Sequence, residues 1–193
     1  MKPFLENSAV NVSRRILTSL ALTLPLAAAA VSDNASAQDA RVVIPAPAIP
    51  TTLIDKVRDA TARYVDINAA THDGWVAATP CVSGPEDGAM GVHLVKPSRL
   101  SDGVLKAAEP EALIYEPQTD GSMRLVGVEF IALASTVQAA PQLEGHLFNY
   151  VGEPNRYGLP AFYELHVWAW ENNPKGTFAD WNTRVSCDRQ PSA

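Results

Sequence analysis

Four side chains in this sequence have the chemistry of a metal or acid–base site: His93, Glu129, Glu164 and His166. Each lies in an apolar run that alternates with a period of two, the signature of a strand. In Gly88-Ala89-Met90-Gly91-Val92-His93-Leu94-Val95, His93 shares its face with Gly91 and Val95, and Met90, Val92 and Leu94 form the other face. In the next long run Glu129 falls with Leu125, Gly127 and Ile131, against Val126, Val128 and Phe130. Both faces there are apolar apart from the carboxyl, so Glu129 is expected to be buried. A buried carboxylate must be protonated, hydrogen-bonded or bound to a cation. In Phe162-Tyr163-Glu164-Leu165-His166-Val167-Trp168-Ala169-Trp170, Glu164 and His166 share a face with Trp168 and Trp170. Strands lying side by side would bring the two imidazoles and two carboxyls together. Such a set holds Zn²⁺, Cu²⁺, Mn²⁺ or Fe²⁺ and leaves a coordination position for water or substrate. In that reading His93 and His166 are ligands, Glu129 is a ligand or catalytic base, and Glu164 is a ligand or supports one.

Two other readings compete. Trp168 and Trp170 can instead wall a cavity for a small apolar or aromatic molecule, oriented by His93 and Glu129, with no metal. The third reading is a cell-envelope interaction protein without a small-molecule site. Singly, a strand His or Glu is most often a hydrogen-bonded structural residue, and Glu129 would then pair with Arg124, Arg156 or a backbone group. Tyr115, Tyr163 and His146 are weaker candidates, with His146 a third nitrogen in a lid over residues 135–160. His72 reads as a helix-end side chain.

The elements that must position these groups follow from periodicity and turn chemistry. Leu53, Ile54, Val57, Ala60, Tyr64 and Val65 recur at helical spacing behind Thr51 or Thr52, which predicts one helix over about 52–70. Strands are expected over 89–95, 112–116, 124–134 and 162–170, with Asp120-Gly121 closing a hairpin. The fold class is therefore α+β: one N-terminal helix, then a curved, mainly antiparallel sheet or partial barrel enclosing a cavity.

The first 37 residues have a polar head ending in Arg14-Arg15, an apolar run and Ala35-Ser36-Ala37, the layout of a cleaved export signal. Ser13-Arg14-Arg15-Ile16-Leu17 also resembles a twin-arginine motif, so either the general secretory or the twin-arginine route serves. Residues 38–50 form a Pro/Ala-rich lead-in and 51–193 a single domain. The expected location is periplasmic or secreted, with no stable membrane insertion after cleavage. A formal net charge of −6 gives no attraction for nucleic acid, which leaves a metal ion or small molecule as partner. The two cysteines, Cys81 and Cys187, suggest one disulfide in an oxidising compartment.

Gly88-Ala89-Met90-Gly91-Val92-His93, Leu125 to Glu129, Glu164 to Trp168, Asn173 to Phe178 and the final Cys187 resemble an uncharacterised family of small exported bacterial proteins. The resemblance covers the chain from about Tyr64 onward. It implies an exported, single-domain protein and brings no activity with it.

Overall fold

A computed structural model of the protein describes residues 52–189. The export-signal segment and the whole lead-in lie outside the described residues. What is described is a mixed helix-and-sheet fold with all strand pairs antiparallel.

The N-terminal helical segment is broken where one helix over 52–70 is expected. Helix α1 spans Leu53–Thr61 and α2 spans Ile67–His72, with a 3₁₀ turn at Ala62–Val65 between them. Thr52 and Asp55 cap α1 reciprocally, each side chain accepting from the other's backbone N–H. The break coincides with one local and one long-range contact. Asp66 accepts a hydrogen bond from the Asn68 N–H and so starts a second helix, and the Tyr64 carbonyl accepts the Tyr115 hydroxyl at 2.6 Å. Helical spacing of apolar residues runs through such a joint unchanged.

The main sheet has seven strands: β1 (Val76–Ala77), β2 (Val82–Gly84), β3 (Gly88–Val95), β4 (Ala112–Pro117), β5 (Met123–Leu133), β8 (Asn149–Val151) and β9 (Phe162–Val167). Their order is β1-β3-β4-β5-β9-β8, with β2 also on β3. Strands β6 (Gln142–Leu143) and β7 (His146–Leu147) form a separate small hairpin, and a one-turn helix, α3 (Pro97–Leu100), follows β3. The sheet does not close into a barrel: β1 and β8, at the two ends of the order, are two and three residues long and do not pair with each other. Gln118 to Ser122 form the expected turn between β4 and β5.

One face of the sheet carries the main core. Val92, Leu94, Leu113, Tyr115, Val128, Phe130, Leu165 and Val167 pack there with Leu53 and Val57 of α1 and with Trp75. The other face is covered by loops and by the C-terminal tail. Near one end Val95, Ala112, Ile131 and Phe162 meet Leu100, Tyr157 and Leu159; near the other Ala89, Ile114, Val126 and Trp168 meet Val185 and Cys187. The Cys81–Cys187 disulfide ties that tail to the start of β2, across 106 residues of chain.

Two departures from strict alternation matter for the site. A bulge falls where Ile114 pairs with Gly127 but Tyr115 pairs with Leu125, so Val126 is an extra residue on β5. Leu125 is thereby moved to the helix-side core and Val126 to the loop-side face, the reverse of the faces that strict alternation assigns them. Strand β9 also ends at Val167 rather than at Trp170. The Ala169 N–H bonds back to the Val167 carbonyl, and both Trp170 and Glu171 donate to the Val126 carbonyl. This turn breaks the period of two between Trp168 and Trp170.

Candidate metal centre on the loop-side face

His93, Glu129, Glu164 and His166 all lie buried on the loop-side face. Glu129 and His166 are direct cross-strand partners on β5 and β9, and Glu164 pairs with Ile131 one step along. His93 comes from β3, two strands from Glu129, and β4 runs between them. Two strand spacings amount to about 10 Å, a gap that the two side chains must close between them. On β4 the partner of Glu129 is the fully buried Ala112 and that of His93 is Ile114, so the two approach each other diagonally. His93 Nε2 reaches Glu129 Oε2 at 3.4 Å.

Around this contact the rest of the cluster assembles. The His93 and His166 rings meet edge to face with centroids 5.9 Å apart. His93 Nδ1 lies 3.3 Å from the Thr79 hydroxyl, whereas neither ring nitrogen of His166 has a hydrogen-bond partner among the described residues. Glu164 Oε2 is likewise unpartnered. Asp180, from the C-terminal tail, points a carboxyl oxygen to 3.7 Å from His166 Nδ1 and is held there by a 2.8 Å hydrogen bond from Asn149.

Burial sets the protonation of every member. Desolvation lowers the His93 pKa to about 4, against a raising hydrogen bond with the Gly91 backbone. Desolvation, aided by the neighbouring His93, lowers His166 to about 3. Both imidazoles are therefore neutral at pH 7. Glu129 is pushed well above the ordinary carboxylate range by desolvation and then by the charge of Glu164, to which it is hydrogen-bonded. Glu164 rises to about 7, mainly by desolvation and against the hydrogen bond from Glu129, so the proton is held on Glu129. With His93 neutral and Glu129 protonated, their 3.4 Å contact is not an ion pair. Desolvation also raises Asp180, opposed by its bond from Asn149.

No lysine or arginine among the described residues pairs with Glu129 or Glu164. Arg124 bonds Glu116 and Glu171, and Arg156 lies over the Trp181 ring. The structural partner that either arginine would have supplied to Glu129 is thus excluded.

Potential ligand atoms of His93, Glu129 and His166 lie within 4.8 Å of one another, and so do those of Glu164, His166 and Asp180. Two donors on one tetrahedral zinc, each bonded at about 2.0–2.1 Å, are about 3.4 Å apart. The His93–Glu129 pair already has that separation. His166 belongs to both groups.

Beside His93 and Glu129 a pocket of about 60 Å³ opens to the surface. Its walls are Val95, Ile131 and Phe162, and Ala78, Thr79, Tyr157 and Leu159 stand at its mouth.

The remaining sequence candidates lie elsewhere. Trp168 stacks at 21° against His166, but its indole N–H is bonded to the Ala179 carbonyl under the tail. Trp170 is carried to the opposite side of the sheet, where its N–H donates to Thr61 of α1. Neither lines the pocket. His146 packs on Phe178, His72 is exposed beside Asp73, Tyr115 is a core residue and Tyr163 lies against Tyr150. Asp180 and Ala112 were invisible to periodicity, since one lies in an irregular tail and the other has an unremarkable side chain. The only sequence signal for Ala112 is its position as the smallest residue of its strand.

No family model, curated protein or solved structure matches the chain.

Proposed function

We propose that the protein is an exported binder of a divalent transition metal, held by His93, His166 and Glu129 with Glu164 as a fourth ligand or as a support for one. The observation that carries this reading is the buried cluster of neutral imidazoles and proton-sharing carboxyls with no cationic side chain opposite it. A purely structural cluster would satisfy His166, yet both its nitrogens are left without partners at zero exposure. A divalent ion satisfies those atoms and replaces the protons on the carboxyls. Mixed nitrogen and oxygen donors suit Zn²⁺, Cu²⁺, Mn²⁺ or Fe²⁺. The pocket reaching Glu129 leaves one side of the ion open, where Glu129 can also serve as a base toward bound water.

Export is supported by the signal-like N-terminus and by the disulfide, a bond that persists in oxidising compartments. No described helix is long and apolar enough to cross a membrane. The Trp-walled binding module draws no comparable support, because Trp168 and Trp170 occupy opposite sides of the sheet.

Elemental analysis of the purified protein, before and after reconstitution with Zn, Cu, Mn and Fe, tests the proposal. One equivalent of metal that is lost in a His93→Ala, His166→Ala double variant is the expected result. Sub-stoichiometric metal after every reconstitution would end it.

A further inference from the structure

The pocket beside the cluster is walled on one side by residues 152–160, and that segment is built as a fixed wall rather than a lid. Asn155 organises it: its amide nitrogen donates to the carbonyls of Gly152 and Leu159, and its oxygen accepts from the N–H groups of Tyr157 and Leu159. Four hydrogen bonds on one side chain fix where Tyr157 and Leu159 stand. The Tyr157 hydroxyl then crosses to β3, 3.3 Å from the Met90 sulfur, and its ring meets Phe162 edge to face. The opposite lip is Ala78 and Thr79; Ala78 is exposed and tied to β3 only through its backbone, N–H to the His93 carbonyl.

The pocket is narrow, mostly apolar and aimed at two prospective ligands. Its roughly 60 Å³ equals about two water molecules at the liquid's 30 Å³ each. No lysine or arginine lines it, and Glu129 at its base has Glu164 for a neighbour. Two carboxylates, Glu129 and Glu164, already balance the charge of one divalent ion and leave no net positive charge to attract an anion. A hydroxyl at either lip, Thr79 and Tyr157, can donate to or accept from a bound polar atom.

We infer that this pocket is the entrance to the metal's open position and admits a small neutral ligand of about two or three non-hydrogen atoms, such as a diatomic gas or a peroxide-sized molecule. The inference rests on the metal reading above. It adds the direction of approach, the size and charge of the ligand, and the roles of Ala78, Thr79, Tyr157 and Leu159 as the aperture. The same features disfavour bulky organic substrates and free anions.

Nitric oxide, a neutral diatomic, is a suitable probe under anaerobic conditions. It is added to full-length protein loaded with Fe²⁺, read by electron paramagnetic resonance, or with Co²⁺, read by visible absorption. Wild-type protein is expected to form an adduct, and azide is expected not to displace it. Ala78→Trp, which caps the mouth from an exposed position, should slow adduct formation at least tenfold with metal affinity within about twofold of wild type. Leu159→Ala, which widens the opening, should leave the rate equal or faster. Protein that takes up neither ion contradicts the metal reading itself. Stoichiometric metal without an adduct, or adduct formation unchanged in Ala78→Trp, overturns the entrance alone, and effective competition by azide overturns the neutral-ligand choice.

Discussion

Glu129 and His166 face each other as direct cross-strand partners at the centre of a seven-stranded sheet, both buried and neither opposed by a lysine or arginine among the described residues. Nearly every feature of the cluster follows from that pairing. Partners on adjacent strands have Cβ atoms about 5 Å apart, close enough for a carboxyl and an imidazole to share an ion. The same closeness without an ion keeps a proton on Glu129, because a buried negative charge has no counter-charge there.

Metal uptake should therefore release protons from carboxyls rather than from imidazoles. Glu129 is held well above the ordinary range and Glu164 at about 7, whereas His93 and His166, at about 4 and 3, are already neutral. Affinity should rise as pH goes from 5 to 8 and show no separate step near 6.5, the ordinary imidazole value. Calorimetric titrations in buffers of different ionisation enthalpy at pH 6.5 should show about one to two protons released per metal.

Replacing Glu129 by Gln distinguishes a ligand from a structural carboxyl. The folded, metal-free protein already carries this side chain neutral, so Glu129→Gln should leave its melting temperature unchanged or slightly higher in chelator. In the presence of metal the stabilisation seen for wild type should be lost. Melts of both proteins with and without chelator make the comparison; equal destabilisation in both conditions would mark Glu129 as structural.

Ala112 should be intolerant of enlargement for a reason specific to the site. It is fully buried directly opposite Glu129, so Ala112→Leu would crowd that carboxyl out of its contact with His93. Overpacking costs about 1–3 kcal/mol, and metal affinity should fall by more than tenfold. Metal titration alongside urea unfolding separates the two effects.

How much of this was legible beforehand follows from where alternation holds. It holds from Val92 to Val95, from Gly127 to Leu133 and from Phe162 to Trp168, and there the shared face of His93, Glu129, Glu164 and His166 can be read from the sequence. It fails where the backbone departs from a ladder. The extra residue Val126 reverses the faces of Leu125 and Val126, and the turn at Val167–Ala169 sends Trp170 to the helix side, because neither event changes residue type in a recognisable way. The helix break at Tyr64 depends on a hydroxyl from Tyr115, 51 residues away. Asp180 joins the cluster through tail packing and Asn149, contacts that no local pattern encodes.

Another buried carboxyl escaped the sequence reading and makes stability depend on pH. Glu111, just before β4, accepts the Ile131 N–H with one oxygen, and desolvation raises its pKa to about 8. A raised folded-state value means that its contribution is full below about 4.5, the unfolded value, and is lost as pH climbs through 8. Glu111→Gln keeps an acceptor for Ile131 and removes the titration. Metal-free wild type should lose roughly 4 kcal/mol more than this variant between pH 5 and 9 in urea melts, a difference that cancels the shared contributions of Glu129 and Glu164.

The Cys81–Cys187 disulfide holds the tail segment that carries Val185 against the loop-side core. Closing a loop of that length stabilises a fold by about 4–5 kcal/mol in the chain-entropy picture. A double serine variant should unfold at markedly lower urea. It should also bind metal more weakly, since Asp180 and the cover over Trp168 belong to the same tail.

The most direct test of the central claim is an anomalous-difference map from crystals of metal-loaded protein, collected above the absorption edge of the bound ion. The account predicts one strong peak on the loop-side face, about 2.0–2.2 Å from nitrogens of His93 and His166 and from an oxygen of Glu129. A peak anywhere else on the protein, with these three side chains unliganded in the same crystal, would contradict it.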